Sequence, residues 1–269
     1  MIISISHNKI DYRIDTKNSF DISIPYEFNG KQPNFYDVKR GQIKYLESAG
    51  TIYSVAKGSG CNVPEISMNI HCSGTHTECV GHILEKPGDI GILLRDIIIP
   101  GLLITVSSIP FSDSLESYHC SVRGDEQVIS KKLIQNEVEK LEEYQPQALI
   151  IRTTPNSEQK KYYRYTQHTP PFFTNDALRF INSIGVNHIV VDLPTIDRME
   201  DNGILGNHRI FWGGENNIQA DVNTKSNSTI TEFAFIADDV PDGFYFLNLQ
   251  LPHFVCDAAP SRPILLKAD

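Results

Sequence analysis

Residues 148–152 and 188–192 are two short runs of mostly branched apolar residues. Between them lies a segment with helical periodicity, and this arrangement restricts the fold more than any other feature of the chain. In that segment Thr174 or Asn175 can cap a helix whose stripe is Ala177, Leu178, Ile181 and Ile184, and Gly185 can close it. Apolar runs without alternation read as strands covered on both faces. A strand, a helix and a strand in that order form a βαβ unit, and the long crossover makes the two strands parallel. Residues 102–106 form a third run of the same kind. Residues 244–251 alternate instead, with Tyr245, Leu247, Leu249 and Leu251 on one face and Phe244, Phe246, Asn248 and Gln250 on the other. Leu133, Ile134, Val138 and Leu141 recur at helical spacing among Lys and Glu, which predicts a second helix. The expected class is α/β.

Two long stretches, residues 155–173 and 201–229, show no periodicity. Loops of that length in a compact domain tend to be functional or disordered. Neither has the composition of a linker and no repeat is visible, so residues 1–269 are expected to form a single domain. The formal net charge of -9 argues against a nucleic-acid partner, which would require a basic face. No apolar run is long enough to span a membrane, and residues 1–15 lack the pattern of a secretion signal. The five scattered cysteines do not form a disulfide framework, so a reducing, cytoplasmic setting is expected. No Walker A loop, dinucleotide glycine pattern or nucleophile elbow is present.

The chemistry is concentrated between residues 71 and 82. His71, His76 and His82 lie there with Cys72, Glu78 and Cys79 among them. Imidazole, thiolate and carboxylate are ligands for zinc and related ions. Gly74 lets the backbone turn tightly beside an ion, and the Thr75 hydroxyl can hold a ligand loop. Residues 66–70 alternate like a strand, so the cluster is expected where a strand runs into a turn. Any one of these histidines alone reads as an ordinary polar residue. Together they read as a site.

This segment resembles the signature of the cyclase-like metal-dependent hydrolases, the family of bacterial kynurenine formamidase and isatin hydrolase. Their pattern is His-x-Gly-Thr-His-x-Asp-x-Pro-x-His. Here the same spacing runs from Cys72 to His82, and Gly74, Thr75, His76 and His82 match. Further blocks are similar and in the same order: residues 20–23, 149–153 and 190–197, then His208-Arg209, Thr231-Glu232 and residues 256–262. The resemblance implies one cyclase-like, swivelling β/α domain with a β-rich, barrel-like core flanked by a few helices. It also implies a homodimer or homotetramer acting on a small-molecule substrate.

The resemblance implies that Cys72, His76, Glu78, His208 and Glu232 ligate one or two divalent ions and that His82 is the proton donor and acceptor. Cys72 replaces the family's histidine, with His71 next door as an alternative donor. Glu78 replaces its aspartate and Val80 its proline. An extra stretch separates His208 from Glu232. A thiolate ligand shifts the preference toward Zn²⁺, with Mn²⁺ as the alternative. Zinc lowers the pKa of water to about 7. An imidazole, which titrates near neutrality, can then pass a proton to a leaving nitrogen. The expected activity is hydrolysis of a small amide, N-formyl or cyclic amide, with Tyr162 to Tyr165, Phe172, Phe173 and Trp212 as candidate pocket walls. Two rivals remain open. One is a Cys–His amidase using Cys72 or Cys79 with His76 or His82. The other is a degraded metal site that now only binds small molecules or supports structure.

Overall fold

The structure, a computed structural model, describes residues 1–141, 144–214 and 227–268. Its main sheet has ten strands. In chain order they are β1 (Ile2–His7), β2 (Ile10–Asp21), β3 (His76–Cys79), β4 (Ile99–Ser107), β5 (Ala148–Thr154), β6 (His188–Val191), β7 (Thr229–Glu232), β8 (Gly243–Asn248), β9 (Ala258–Pro260) and β10 (Ile264–Ala268). Their order across the sheet is β1-β2-β10-β8-β4-β5-β6-β7-β3-β9. Strands β4, β5, β6 and β7 are mutually parallel, and the strands outside them pair antiparallel. The expected βαβ unit is present. β5 leads through the helix Asn175–Ser183 to its parallel neighbour β6.

The apolar runs follow from burial on both faces. Along β5, Leu149 and Ile151 enter one core with Leu102, Ile104, Ile189 and Val191. Ala148 and Ile150 enter the opposite core with Ile99, Leu103, Val190 and Leu247. The first core is covered by the helices α1 (Lys131–Glu139), α2 (Asn175–Ser183) and α3 (Gly206–Phe211), which contribute Ile134, Ala177, Leu178, Ile181, Ile210 and Phe211. Ser130 caps α1 and Thr174 caps α2, each hydroxyl accepting a backbone N–H of the first turn. Gly185 follows α2 at φ +82°, the left-handed residue expected at a helix end.

Three expectations need correction. The core is an open sheet and not barrel-like, because β1 and β9 lie at opposite ends of the strand order and do not pair. Residues 201–229 are not irregular throughout, since α3 lies among them, and residues 215–226 fall outside the described residues. The strand before the central cluster is short and exposed (Pro64–Ser67) and, among the described residues, pairs only with Gln42–Tyr45. The strand that matters, β3, comes after the turn and is buried along its whole length. Among the described residues no helix is long and apolar enough to cross a membrane.

Candidate metal centre

β3 lies between β7 and β9, and its register sets the site. His76 pairs with Glu232 of β7, and Glu78 is two residues further along β3. The period of two along a strand puts His76 and Glu78 on one face, with Glu232 beside them. Thr77 and Cys79 therefore face the other way. Thr77 hydrogen-bonds the hydroxyls of Thr231 and Ser261 there, and Cys79 packs with Ile90 and Ala259. Thr75 locks the strand entry. Its hydroxyl accepts the Ile24 N–H at 2.7 Å and donates to the Phe233 carbonyl. Gly74 has a different role from the expected tight turn. A Cβ there would stand 2.7 Å from the Tyr26 ring, whose hydroxyl donates to the Thr75 carbonyl.

His208 arrives from α3. Its Nδ1 lies 2.6 Å from Asp197 Oδ2, which turns Nε2 toward Glu78 Oε1 at 2.9 Å and Glu232 Oε1 at 3.6 Å. Asp197 also accepts the backbone N–H groups of Asn207 and His208 and the Tyr118 hydroxyl. One carboxylate thus caps the short helix and orients its histidine. His76 Nε2 stands 3.6 Å from Glu232 Oε2 and 4.0 Å from Glu78 Oε2, with Nδ1 on the Gly74 carbonyl.

On the more open side, His71 Nδ1 lies 2.9 Å from Glu78 Oε2, and its Nε2 lies 3.1 Å from Asp257 Oδ2. His82 Nδ1 is 3.1 Å from the same Asp257 oxygen and 3.7 Å from Glu78 Oε2. His76, Glu78, His208 and Glu232 are buried, while His71 and His82 keep about a quarter of their side chains exposed (27% and 25%).

The structure therefore brings together His76, Glu78, His82, His208 and Glu232 from the sequence-based set. Among the described residues four convergent donor groups occur: His71 with His76 and Glu78, His71 with His82 and Asp257, Glu78 with His82 and His208, and His119 with Asp197 and Asp201. Cys72 belongs to none of them. It packs among Ile24, Phe35, Tyr165, Phe233 and Phe235. Asp197 and Asp257 lie within the similar blocks, but no spacing in the sequence marks a carboxylate that supports a histidine.

These donors fit a small divalent cation. Ligands about 2.1 Å from one tetrahedral ion stand about 3.4 Å apart, and the nitrogen–oxygen separations here run from 2.9 to 4.0 Å. His71 Nδ1, His76 Nε2 and Glu78 Oε1 are buried without a hydrogen-bond partner, although charged neighbours surround them. Lone pairs that approach one another without aligning are what a shared cation would satisfy.

The electrostatics agree. Burial would raise the Glu78 carboxyl, but His82 and His208 outweigh it and hold it well below the usual range. Burial and then the Glu78 charge push Glu232 up to about 7. Burial and the neighbouring His71 push His76 down to about 3, which keeps that ring neutral. Hydrogen bonds to His71 and His82 hold Asp257 below the usual carboxylate range. Burial first, then nearby carboxylates, push the Cys72 thiol up to about 11, and burial pushes Cys79 to about 11. Both thiols are thus kept neutral, the opposite of an activated nucleophile.

Of the candidate pocket walls, Trp212 and Tyr165 adjoin the centre. The Trp212 ring is 5.6 Å from His208. Tyr165 meets Phe233 edge-on, and Phe233 lies 6.1 Å from His76. Phe172 packs on Tyr118, Phe173 is core, and Tyr162 and Tyr163 lie under Lys31 and against His168.

Residues 20–198 match a family described as putative cyclase. Kynurenine formamidase of Bacillus cereus is 24% identical over 262 residues, covering 93% of this chain and 98% of that protein. Among solved structures, isatin hydrolase A of Ralstonia solanacearum superposes with a TM-score of 0.62 at 12% identity, over 92% of this chain and 91% of that one. A predicted metal-dependent hydrolase of Bacillus stearothermophilus gives 0.59 at 17% identity, over 92% and 97%.

Proposed function

The chain belongs to the putative cyclase family, and from that premise we propose that it is a metal-dependent hydrolase cleaving a C–N bond in a small amide, N-formyl or cyclic amide substrate. The observation that supports this most is the buried convergence of His76, Glu78, His208 and Glu232 from β3, α3 and β7, with donor atoms left unpartnered. The relatives are named for hydrolysis of a formamide and of isatin, and a substrate of that kind is part of the proposal.

His76, Glu78, His208 and Glu232 hold the cation in this reading. Zn²⁺ suits such imidazole and carboxylate donors, with Mn²⁺ as the alternative. The two oxygens of Glu78 face different histidines, His208 and His71, an arrangement that one ion or two can use. When bound, the ion supplies Lewis-acid activation of water and of the substrate carbonyl. Asp197 keeps the His208 ring turned inward. His82, with Nδ1 against Asp257, presents its other nitrogen to exchange a proton with the leaving nitrogen.

The test is direct. Protein stripped by a chelator should be inactive toward N-formylkynurenine and isatin and should regain turnover with Zn²⁺ or Mn²⁺. Turnover that survives chelation but not thiol alkylation would move the chemistry to a cysteine. A protein that takes up no metal and turns over neither compound would overturn the reading.

A further inference from the structure

We infer that His71, oriented by Asp257, has taken over the donor position that the family's spacing assigns to Cys72. This rests on the metal-dependent reading above and concerns which side chain completes it.

Three geometric observations support the inference. The first is the local backbone. Residues 70–72 form a turn, and Cys72 is pinned within it. Its N–H donates to Asn69 Oδ1 and its carbonyl accepts the Phe35 N–H. The Cys72 side chain enters the cluster of Ile24, Phe35, Tyr165, Phe233 and Phe235, and His71 faces the site.

The second is the position of the ring. His71 Nδ1 is grouped with the donor atoms of His76 and Glu78, all within 4.8 Å of one another, and it is buried without a hydrogen-bond partner. The ring centroid lies 5.1 Å from that of His76 and 4.3 Å from that of His82. The imidazole thus occupies the ground between the strand donors and the candidate proton-transfer residue.

The third is the support behind the ring. A histidine that binds a metal through one nitrogen is usually held through the other by a carboxylate, which fixes the tautomer and the ring plane. His71 Nε2 lies 3.1 Å from Asp257 Oδ2. Asp257 is itself placed by the sheet. Its carbonyl accepts the Cys79 N–H, and it directly precedes β9, which pairs with β3. His208 has the same arrangement with Asp197. The two histidines that are not on β3 and that face Glu78 at 2.9 Å are therefore both backed by an aspartate. Cys72 packs instead among Ile24, Phe35, Tyr165, Phe233 and Phe235.

Cobalt substitution tests the inference without relying on turnover. A thiolate bound to Co²⁺ gives a ligand-to-metal charge-transfer band in the near ultraviolet, and imidazole and carboxylate ligands do not. The full chain, stripped and titrated with Co²⁺, should bind the ion and show no such band. Cys72→Ser should bind Co²⁺ with unchanged affinity and an unchanged visible spectrum. His71→Ala should weaken binding by more than about 100-fold, and free imidazole should restore part of it. Asp257→Asn should weaken binding by about 10- to 100-fold.

A charge-transfer band in the unmodified protein that disappears in Cys72→Ser would overturn the inference and leave the metal-dependent reading standing. Unchanged affinity in a folded His71→Ala protein would do the same. Failure of the unmodified protein to bind Co²⁺, Zn²⁺ or Mn²⁺ would overturn both. The spectrum of the unmodified protein needs no variant, so it decides even if His71→Ala fails to fold.

Discussion

Glu78 shows what one methylene does at this centre. Where the family pattern has aspartate, the longer side chain reaches His208 with one oxygen and His71 with the other, both at 2.9 Å. Its reach and the shift from Cys72 to His71 belong together, because a donor one position earlier along the chain needs a partner that extends toward it. His82 differs from the buried His76 and His208 in keeping a quarter of its side chain exposed, and from His71 in lying farther from Glu78, at 3.7 Å against 2.9 Å. His82→Ala is expected to lower kcat by about 100- to 1,000-fold with the metal content unchanged. Steady-state kinetics beside metal analysis checks this, and loss of the ion would make His82 a ligand. Asp197→Asn is expected to weaken metal binding by about 10- to 100-fold, because the amide no longer fixes the His208 tautomer. A competition titration against a chromogenic chelator reads the change, and an unchanged affinity would leave Asp197 only its capping role.

At the scale of elements, the loop after β5 is held by a buried ion pair. Lys160 Nζ donates to the Thr153 carbonyl, to Thr153 Oγ1 and to Asp192 Oδ2 at 2.7, 2.9 and 2.8 Å. It ties the short turn Glu158–Tyr162 to the ends of β5 and β6. Lys160→Met is expected to cost about 3–5 kcal/mol, since it leaves Asp192 buried and unpaired. Lys160→Met with Asp192→Asn should cost less than the two single changes summed. Urea denaturation measures both, and strict additivity would show that the pair is not coupled. Helix α1 is legible from its apolar stripe, and α2 from a hydroxyl cap followed by such a stripe. Helix α3 is not, because six residues allow no stripe and its buried face includes Asn207 and His208. Its start is set by Asp197, eleven residues before His208. That is a tertiary contact, and no local cap announces it.

At the scale of the whole molecule, the centre joins distant parts of the chain. His71, His76 and Glu78 come from one segment, His208 and Glu232 from two others, and Asp257 from near the end. An ion held at this centre would bind the folded chain and not the unfolded one. Saturation at about 100 times Kd would stabilise the fold by about 2.7 kcal/mol. Thermal unfolding with and without chelator should therefore show a lower midpoint after metal removal. Coincident midpoints would mean that no ion binds the native state.

The sequence by itself determined the α/β class, the parallel βαβ unit and the apolar stripes of two helices, and its resemblance to the family singled out His76, Glu78, His208 and Glu232 as candidate donors. Periodicity, caps and motif spacing are properties of neighbours along the chain, and residue order is enough to express them. Tertiary structure alone decided that the sheet stays open, with β1 and β9 apart, and that β3 lies between β7 and β9. It also decided that His71 faces Glu78 while Cys72 packs with Phe35, Tyr165 and Phe233. The physical reason is the same in each case. Which of two adjacent side chains faces inward depends on how a turn is held by segments far away in sequence. Here the Phe35 N–H on the Cys72 carbonyl and the Asp257 carboxylate on His71 hold it.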